Sequence, residues 1–509
     1  MTPGSGVEDS RSALSRALGT AVACGLAPTL AVALGGAAAG IALWVPFGST
    51  AAPFAAALAF AALAFAGGAA ALAVWMRGNA LLGARTGIPP IDLMRWDAWS
   101  WAAVAAALVA VLPSSAGNPL AAAVTAAAAY AAGKVSTFAR YDEAVRDAVV
   151  AYLCSRVPVV ALLFAAPNVL VPGRIERGAV HGALAGFARF DGLHYLAIAR
   201  HGYVGADTAF FPAYPMLVRA LGALLRDDVL AGIAISNVAF FIALVFLRRL
   251  IALEHPDPGV AQRTVFYIAI FPTALFFSAV YTESLFLCLS VVFFYALRIQ
   301  RHWLAAFAGG LAATTRVEGV LLVVPYVVDA FAGGVLGFSF IMGSKPFRRR
   351  LLSGAAAICM GLLLYMLFLA ALVGNPFAFE AAQAHWSRHI APPWVGFALE
   401  FARLGSHRPD LVVQSAIELA FTVLALVLVA AAFRRVTAPQ WSYAVVSLLV
   451  PLSTASLLSM PRFVAVLFPL FVVLARWGRS PVANLAVVCL SLVLLGAFSL
   501  MFAGTYWVS

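Results

Sequence analysis

The chain has 509 residues, 63% of them hydrophobic and only 11% charged, with a mean hydropathy of +0.97. Soluble domains carry about 25% charged residues, so a soluble fold is excluded. The net charge of +12 does not point to nucleic acid, because Lys and Arg collect in short loops between apolar runs, as in the cytoplasmic loops of membrane proteins.

The apolar runs are about 17 to 25 residues long, the length at which a helix crosses a hydrocarbon core of about 30 Å. Strand alternation is absent, which excludes a membrane barrel. From the N-terminus, the chain is polar to about Ser15 and then apolar from Ala17 to Trp44. That run is too long for the apolar region of a cleaved signal peptide, so it reads as a span that stays. Four spans are expected before residue 140, at about 18–43, 51–76, 98–114 and 119–134. A polar break, Lys134 to Asp147, sets them apart as an N-terminal module over 1–140, with a second unit over 141–509.

A fifth span is expected at 148–166, followed by a long non-spanning loop over 167–228. Later spans are expected at 229–248, 262–279, 282–298, 303–316, 318–333, 351–373, 411–433, 440–458, 462–477 and 482–504. The pair around Arg316 reads either as two spans or as one broken helix. Phe210 to Leu225 is the ambiguous segment. If it lies on the membrane surface, the loops with Arg248, Arg249, Arg263, Arg298, Arg301, Lys345, Arg348, Arg349, Arg350, Arg434, Arg435, Arg476 and Arg479 all share one side. The opposite side keeps only Arg316, Arg388, Arg403, Arg408 and Arg462. That is the bias of cytoplasmic against external loops, and it puts 167–228 outside the cytoplasm. The composition, rich in Ala and Arg, suggests a bacterial plasma (inner) membrane.

Ionisable residues in a membrane-embedded chain usually serve chemistry or transport. This topology collects them at one external face: Asp191, His194, Tyr195, Asp207, Tyr281, Glu283, Arg316, Glu318, His385, Arg388 and Arg462. Each has a plainer explanation. Glu283 at a helix start complements the macrodipole, Trp386 and Trp394 serve as interfacial anchors, and Arg462 snorkels at a span mouth. The clustering of carboxylate, imidazole and guanidinium favours a site. Guanidinium groups suit a lipid phosphate, and a carboxylate suits the activation of a hydroxyl. Cys24, Cys154, Cys288, Cys359 and Cys489 lie in apolar runs without metal or disulfide spacing. No compact Asp, Glu or His cluster suggests a metal, and no phosphate-binding glycine loop or hydrolase motif appears. Gly309-Gly310 reads as helix packing.

The segment Arg-Phe-Asp-Gly-Leu-His-Tyr-Leu-Ala-Ile-Ala-Arg-His-Gly-Tyr (189–203) resembles a motif of the PIG-V mannosyltransferases, which add the second mannose of GPI anchors, and of their bacterial homologues. Phe-Phe-Pro-Ala-Tyr-Pro (210–215) and Phe-Phe-Ser-Ala-Val-Tyr-Thr-Glu-Ser-Leu-Phe (276–286) resemble two more. Weaker likenesses cover 313–319, 382–388 and 459–463 in the same order. Phe190 stands where the family often has Trp, and the first 140 residues have no counterpart in it.

The resemblance implies an all-α integral-membrane fold of the GT-C superfamily, a polytopic helical bundle whose long first external loop carries surface-lying helices. It also implies a polyprenyl-phosphate sugar donor, inversion at the anomeric carbon, no metal or other cofactor, and a catalytic acid in that loop, here Asp191. The expected function is therefore a mannosyltransferase acting on an extracytoplasmic lipid, glycan or protein acceptor, with Asp191 as general base. Arg316 and Arg462 are the expected phosphate ligands, with His385 and Arg388 in reserve. Glu283, Tyr281 and Tyr195 are expected to position sugar hydroxyls, with Arg189 and His194 also lining the substrate. The alternative is a lipid or glycolipid transporter gripping a headgroup with the same face. Glu418 and Asp329 are then the nearest midplane charges, although no internal repeat is visible.

Overall fold

The computed structural model describes residues 142–169, 180, 182–332, 345–386 and 388–508. The expected N-terminal module, with its four spans, lies outside them.

The α-helices in chain order are α1 Glu143–Val169, α2 Asp191–His201, α3 Ala213–Leu225, α4 Asp228–Glu254, α5 Pro258–Ile270, α6 Glu283–Arg298, α7 His302–Ala313 and α8 Val323–Ala332. They continue with α9 Lys345–Val373, α10 Ala378–Ala381, α11 Pro393–Leu404, α12 Pro409–Ala432, α13 Ala438–Leu452, α14 Met460–Ala465, α15 Phe468–Trp477 and α16 Pro481–Ala503. Among the described residues there is no strand, and the one extended pairing is an isolated bridge between Ile390 and Thr454. Among the described residues five helices, α1, α4, α9, α12 and α16, are long and apolar enough to cross a membrane. The protein is a multi-pass, all-helical membrane protein.

The helix starts follow local chemistry. Asp227 accepts hydrogen bonds from the backbone N–H groups of Val229 and Leu230 and so caps α4. Asp257 does the same for α5, whose first residue is Pro258. The helix over Ala213–Leu225 has 13 residues. It rises about 20 Å, short of the core thickness of about 30 Å, and it packs along α4 and α2.

Several expected spans are broken at one end of the bundle. The span expected at 262–279 is helical only to Ile270, because Pro272 forces Phe271 into an extended conformation (φ −54°, ψ 146°). Residues 271–282 then run as turns and a short 3₁₀ helix, Ala274–Phe277, and every one of them is buried. Irregular backbone at membrane depth persists only where protein satisfies it. Here Arg156, buried within α1, donates to the carbonyls of Ala269 (2.8 Å) and Ala274 (2.5 Å) and to the Ser278 hydroxyl (3.3 Å). A similar break separates α13 from α14 over 453–459.

Around Arg316 the chain forms a hairpin rather than one broken helix. The 3₁₀ helix Val317–Leu322 folds back on α7, so that a side chain at Gly319 would collide with the Ala312 backbone. At the other end of the two legs the His302 and Tyr326 rings lie 6.5 Å apart. Gly310 is a packing glycine, as expected. A Cβ there would crowd the Ala357 carbonyl on α9, and a Cβ at Gly361 would collide with the Gly310 carbonyl. Far from the broken ends, Arg248 is buried against Asp147 (2.7 Å), not exposed in a loop.

Candidate active site

The broken ends converge on a chain of alternating charges. Asp191 opens α2, Glu283 opens α6, Arg316 and Glu318 come from the turn of the hairpin, and Arg462 sits in α14. Arg462 donates from Nη1 to Asp191 Oδ2 at 2.7 Å, and its Nε lies 3.6 Å from Glu283 Oε1. Arg316 donates to the same Glu283 oxygen at 3.0 Å and to both oxygens of Glu318 at 3.4 Å. Glu283 is 1% exposed, and its other oxygen, Oε2, is buried without a hydrogen bond. Three carboxylates against two guanidiniums leave this ladder one negative charge in excess.

Aromatic faces enclose it. Arg462 lies over Phe276 and Tyr281, at 5.4 and 5.3 Å from the ring centroids. Arg316 and Arg388 both lie over Phe463, at 5.3 and 5.6 Å. Such cation–π contacts are worth about 2 kcal/mol or more when desolvated.

The backbone at the two ends of the Asp191–Arg462 pair is strained. Phe190, immediately before Asp191, has φ 49°, and Ser459, three residues before Arg462, has φ 71°. Positive φ at a non-glycine residue costs about 1–3 kcal/mol and tends to persist at functional sites. At the second position Glu418 accepts hydrogen bonds from the N–H groups of Ser459 and Met460, both at 2.9 Å. The residue weighed as a transport charge is thus engaged in capping the short helix that carries Arg462.

Burial raises the pKa of the Asp191 carboxyl, but the charge and hydrogen bond of Arg462, with smaller contributions from His194 and Arg388, outweigh it. The net effect is a carboxylate held below the ordinary value of 3.8.

The other expected residues divide. Arg388 donates to the Leu458 carbonyl at 2.6 Å, and among the described residues no carboxylate forms an ion pair with it. Its loop is pinned over the site by Ala391 N–H to the Ser453 carbonyl and Ala455 N–H to the His389 carbonyl. The Tyr281 hydroxyl donates to the Arg189 carbonyl at 2.9 Å, and the Tyr195 hydroxyl meets Thr282 at 3.3 Å. Both phenols are thus spent within the wall, and Arg189 itself is buried. His194 is bound to Asp207 at 2.7 Å and stacks on Phe210. His385 touches Trp386 on the outer flank and lines a hollow of about 480 Å³ with Thr208 and Asn375. Among the described residues no group of three or more His, Cys, Asp or Glu could hold a metal ion.

Sequence reasoning put Glu318 at the external face without assigning it a role, and it missed Arg156 as a support for the floor of the site. The signal for Arg156 was available, since an arginine inside an apolar run demands partners. The pairing partners of Arg462 carry no local signal.

Residues 157–397 match the family model described as mannosyltransferase (PIG-V). Over that segment, just under half of its length, the chain is similar to the PIG-V family. The match takes in Asp191, Glu283, Arg316 and Arg388, while Arg462 lies beyond it. Among curated relatives, the chain is 29% identical over 212 residues to the mouse GPI alpha-1,6-mannosyltransferase 2, covering 40% of this chain and 42% of that one. It is 30% identical over 171 residues to the human GPI alpha-1,6-mannosyltransferase 2, covering 31% and 34%. It is 31% identical over 116 residues to the GPI mannosyltransferase 2 of Yarrowia lipolytica, covering 22% and 32%. The match thus spans about two fifths or less of these PIG-V relatives' length. No solved structure matches the chain.

Proposed function

We propose that this protein is a membrane mannosyltransferase of the PIG-V family that moves mannose from a polyprenyl-phosphate donor to an extracytoplasmic acceptor with inversion. The observation that carries this reading is the Asp191 carboxylate. It is held ionised beside Arg462, on strained backbone, where five polar segments of the chain meet. A lipid-linked donor suits a protein whose site lies at one end of a helical bundle, with its tail between helices.

Asp191 takes the proton of the acceptor hydroxyl as that oxygen attacks C1 of the sugar from the face opposite the phosphate. The phosphate leaves with the electron pair of the broken C1–O bond, so no sugar–enzyme intermediate is needed. Arg462 and Arg316 were the first expectation for the phosphate, but both are engaged by carboxylates in a ladder that is already negative. Among the described residues Arg388 has no carboxylate in an ion pair with it, and it faces the same cluster, which favours it as the phosphate ligand. The buried, unbonded Oε2 of Glu283 is suited to receive a sugar hydroxyl. The absence of a metal requirement belongs to the same reading, with the site in the plasma membrane facing outward.

The direct test is Asp191→Asn, which keeps the shape and removes the base. Transfer of labelled mannose from polyprenyl-phosphate mannose should fall at least about 100-fold, the usual contribution of a general base, with donor binding kept. A loss of less than about tenfold overturns the assignment. Wild-type transfer should also survive exhaustive chelation.

A further inference from the structure

One turn along α2 from Asp191 stands a second acid–base pair. His194 Nδ1 lies 2.7 Å from Asp207 Oδ1, and these two groups come from different elements, α2 and the 3₁₀ helix Gly205–Ala209. A carboxylate can only accept, so Nδ1 carries the hydrogen and Nε2 of the neutral ring is left as a bare acceptor. The ring is fixed on both sides, stacked on Phe210 at 4.7 Å and met edge-on by Trp386 at 5.9 Å. Its side chain is 35% exposed, against 15% for Asp191 and 14% for Asp207. Residues three apart on a helix stand about 5–6 Å apart at Cβ. The imidazole is therefore a near neighbour of the half-buried carboxylate along the helix, and the more exposed of the two. The titratable groups near it are Asp191, Asp207 and, across Trp386, His385.

We propose that His194, clamped by Asp207, relays the acceptor's proton from Asp191 to solvent, and so acts through Asp191 rather than on the sugar. This rests on the transferase reading above. In each turnover the acceptor O–H bond breaks as its oxygen bonds to C1, and the C1–O bond to phosphate breaks with its electron pair leaving on the phosphate. The proton passes to the Asp191 carboxylate, then to Nε2 of His194, and the imidazolium, balanced by Asp207, releases it to water. A carboxyl held below its ordinary range by Arg462 gives up a proton readily, which suits a relay better than storage. The imidazole is the more open acceptor, since the Asp191 side chain is 15% exposed and already paired with Arg462.

The test uses the full-length protein with polyprenyl-phosphate mannose and a simple hydroxyl acceptor. His194→Gln keeps a donor for Asp207 but removes the proton carrier, and should lower transfer about 100-fold with donor binding and melting temperature unchanged. His194→Ala should be equally slow, and added imidazoles should restore transfer in order of their basicity. Asp207→Asn leaves the ring in place but favours the wrong tautomer, and should also slow transfer without loss of donor binding. Wild-type rates in His194→Gln, or rescue of His194→Ala that follows molecular size instead of basicity, would overturn the relay while leaving Asp191 as base. Absence of transfer by the wild type overturns both readings. If the alanine variant does not fold, the glutamine and Asp207 variants decide.

Discussion

Arg462 donates to Asp191 at 2.7 Å across 271 residues of chain, joining the first polar loop of the described bundle to its last quarter. The pair makes the state of Asp191 depend on a residue outside the best-matched family segment.

That dependence can be measured without turnover. In Arg462→Gln, burial of the Asp191 carboxyl is opposed only by the weaker effects of His194 and Arg388, so its midpoint should rise. Infrared titration of the carboxyl band, assigned with Asp191→Asn, should find the wild-type group ionised down through pH 4 and the variant protonating at higher pH. The sign for stability follows. A lowered carboxyl contributes above its unfolded value of 3.8 and loses that contribution as pH falls through the folded value. An unchanged midpoint in the variant would mean that Arg462 does not control Asp191.

Arg388→Gln should weaken donor binding while sparing the chemical step. Loss of a guanidinium–phosphate contact costs about 1.5–3 kcal/mol, or roughly 10- to 150-fold in donor KM, with kcat little changed. A fall confined to kcat would assign Arg388 to chemistry instead.

Glu418→Gln should be felt at Arg462. The amide offers one oxygen where the carboxylate offers two, so either the Ser459 or the Met460 N–H loses its acceptor. A buried unmet donor costs about 1–3 kcal/mol. Thermal unfolding should shift down accordingly and transfer should fall with it, whereas a transport role for Glu418 would leave stability unaffected.

The sidedness is open to single-cysteine labelling in a cysteine-free background. Gly205→Cys and Asn375→Cys should react with an impermeant reagent from outside, and Arg349→Cys and Arg435→Cys only after permeabilisation. Labelling of Gly205→Cys and Arg435→Cys from the same side would overturn the parity argument and make α3 a span.

The long helices were legible because lipid leaves them one solution. The spans expected at 229–248, 351–373, 411–433 and 482–504 are contained in or nearly coincide with Asp228–Glu254, Lys345–Val373, Pro409–Ala432 and Pro481–Ala503. The expected single span at 262–279 failed because apolar composition does not distinguish a helix from buried irregular backbone. Pro272 was the signal that should have outweighed it. The gathering of Asp191, Glu283, Arg316, Arg388 and Arg462 at one end was legible from charge parity. Their pairing was not, because no local rule links Asp191 to Arg462 or makes Glu283 bridge two arginines. Glu283 does open a helix, as the dipole argument requires, and it is an ion-pair partner as well.

Arg156 sets a constraint on how the chain is made. Its acceptors Ala269 and Ala274 follow it by 113 and 118 residues. At roughly 5–20 residues per second, α1 is synthesised about 6 to 24 seconds before the carbonyls that satisfy its guanidinium. An arginine at the centre of an inserting helix costs about 2.5–3.5 kcal/mol, so α1 alone in lipid is less stable than α1 with these carbonyls in place. That cost is relieved only when α5 and the turns after it arrive. The assembly of the floor beneath Asp191 is therefore tied to the order of translation.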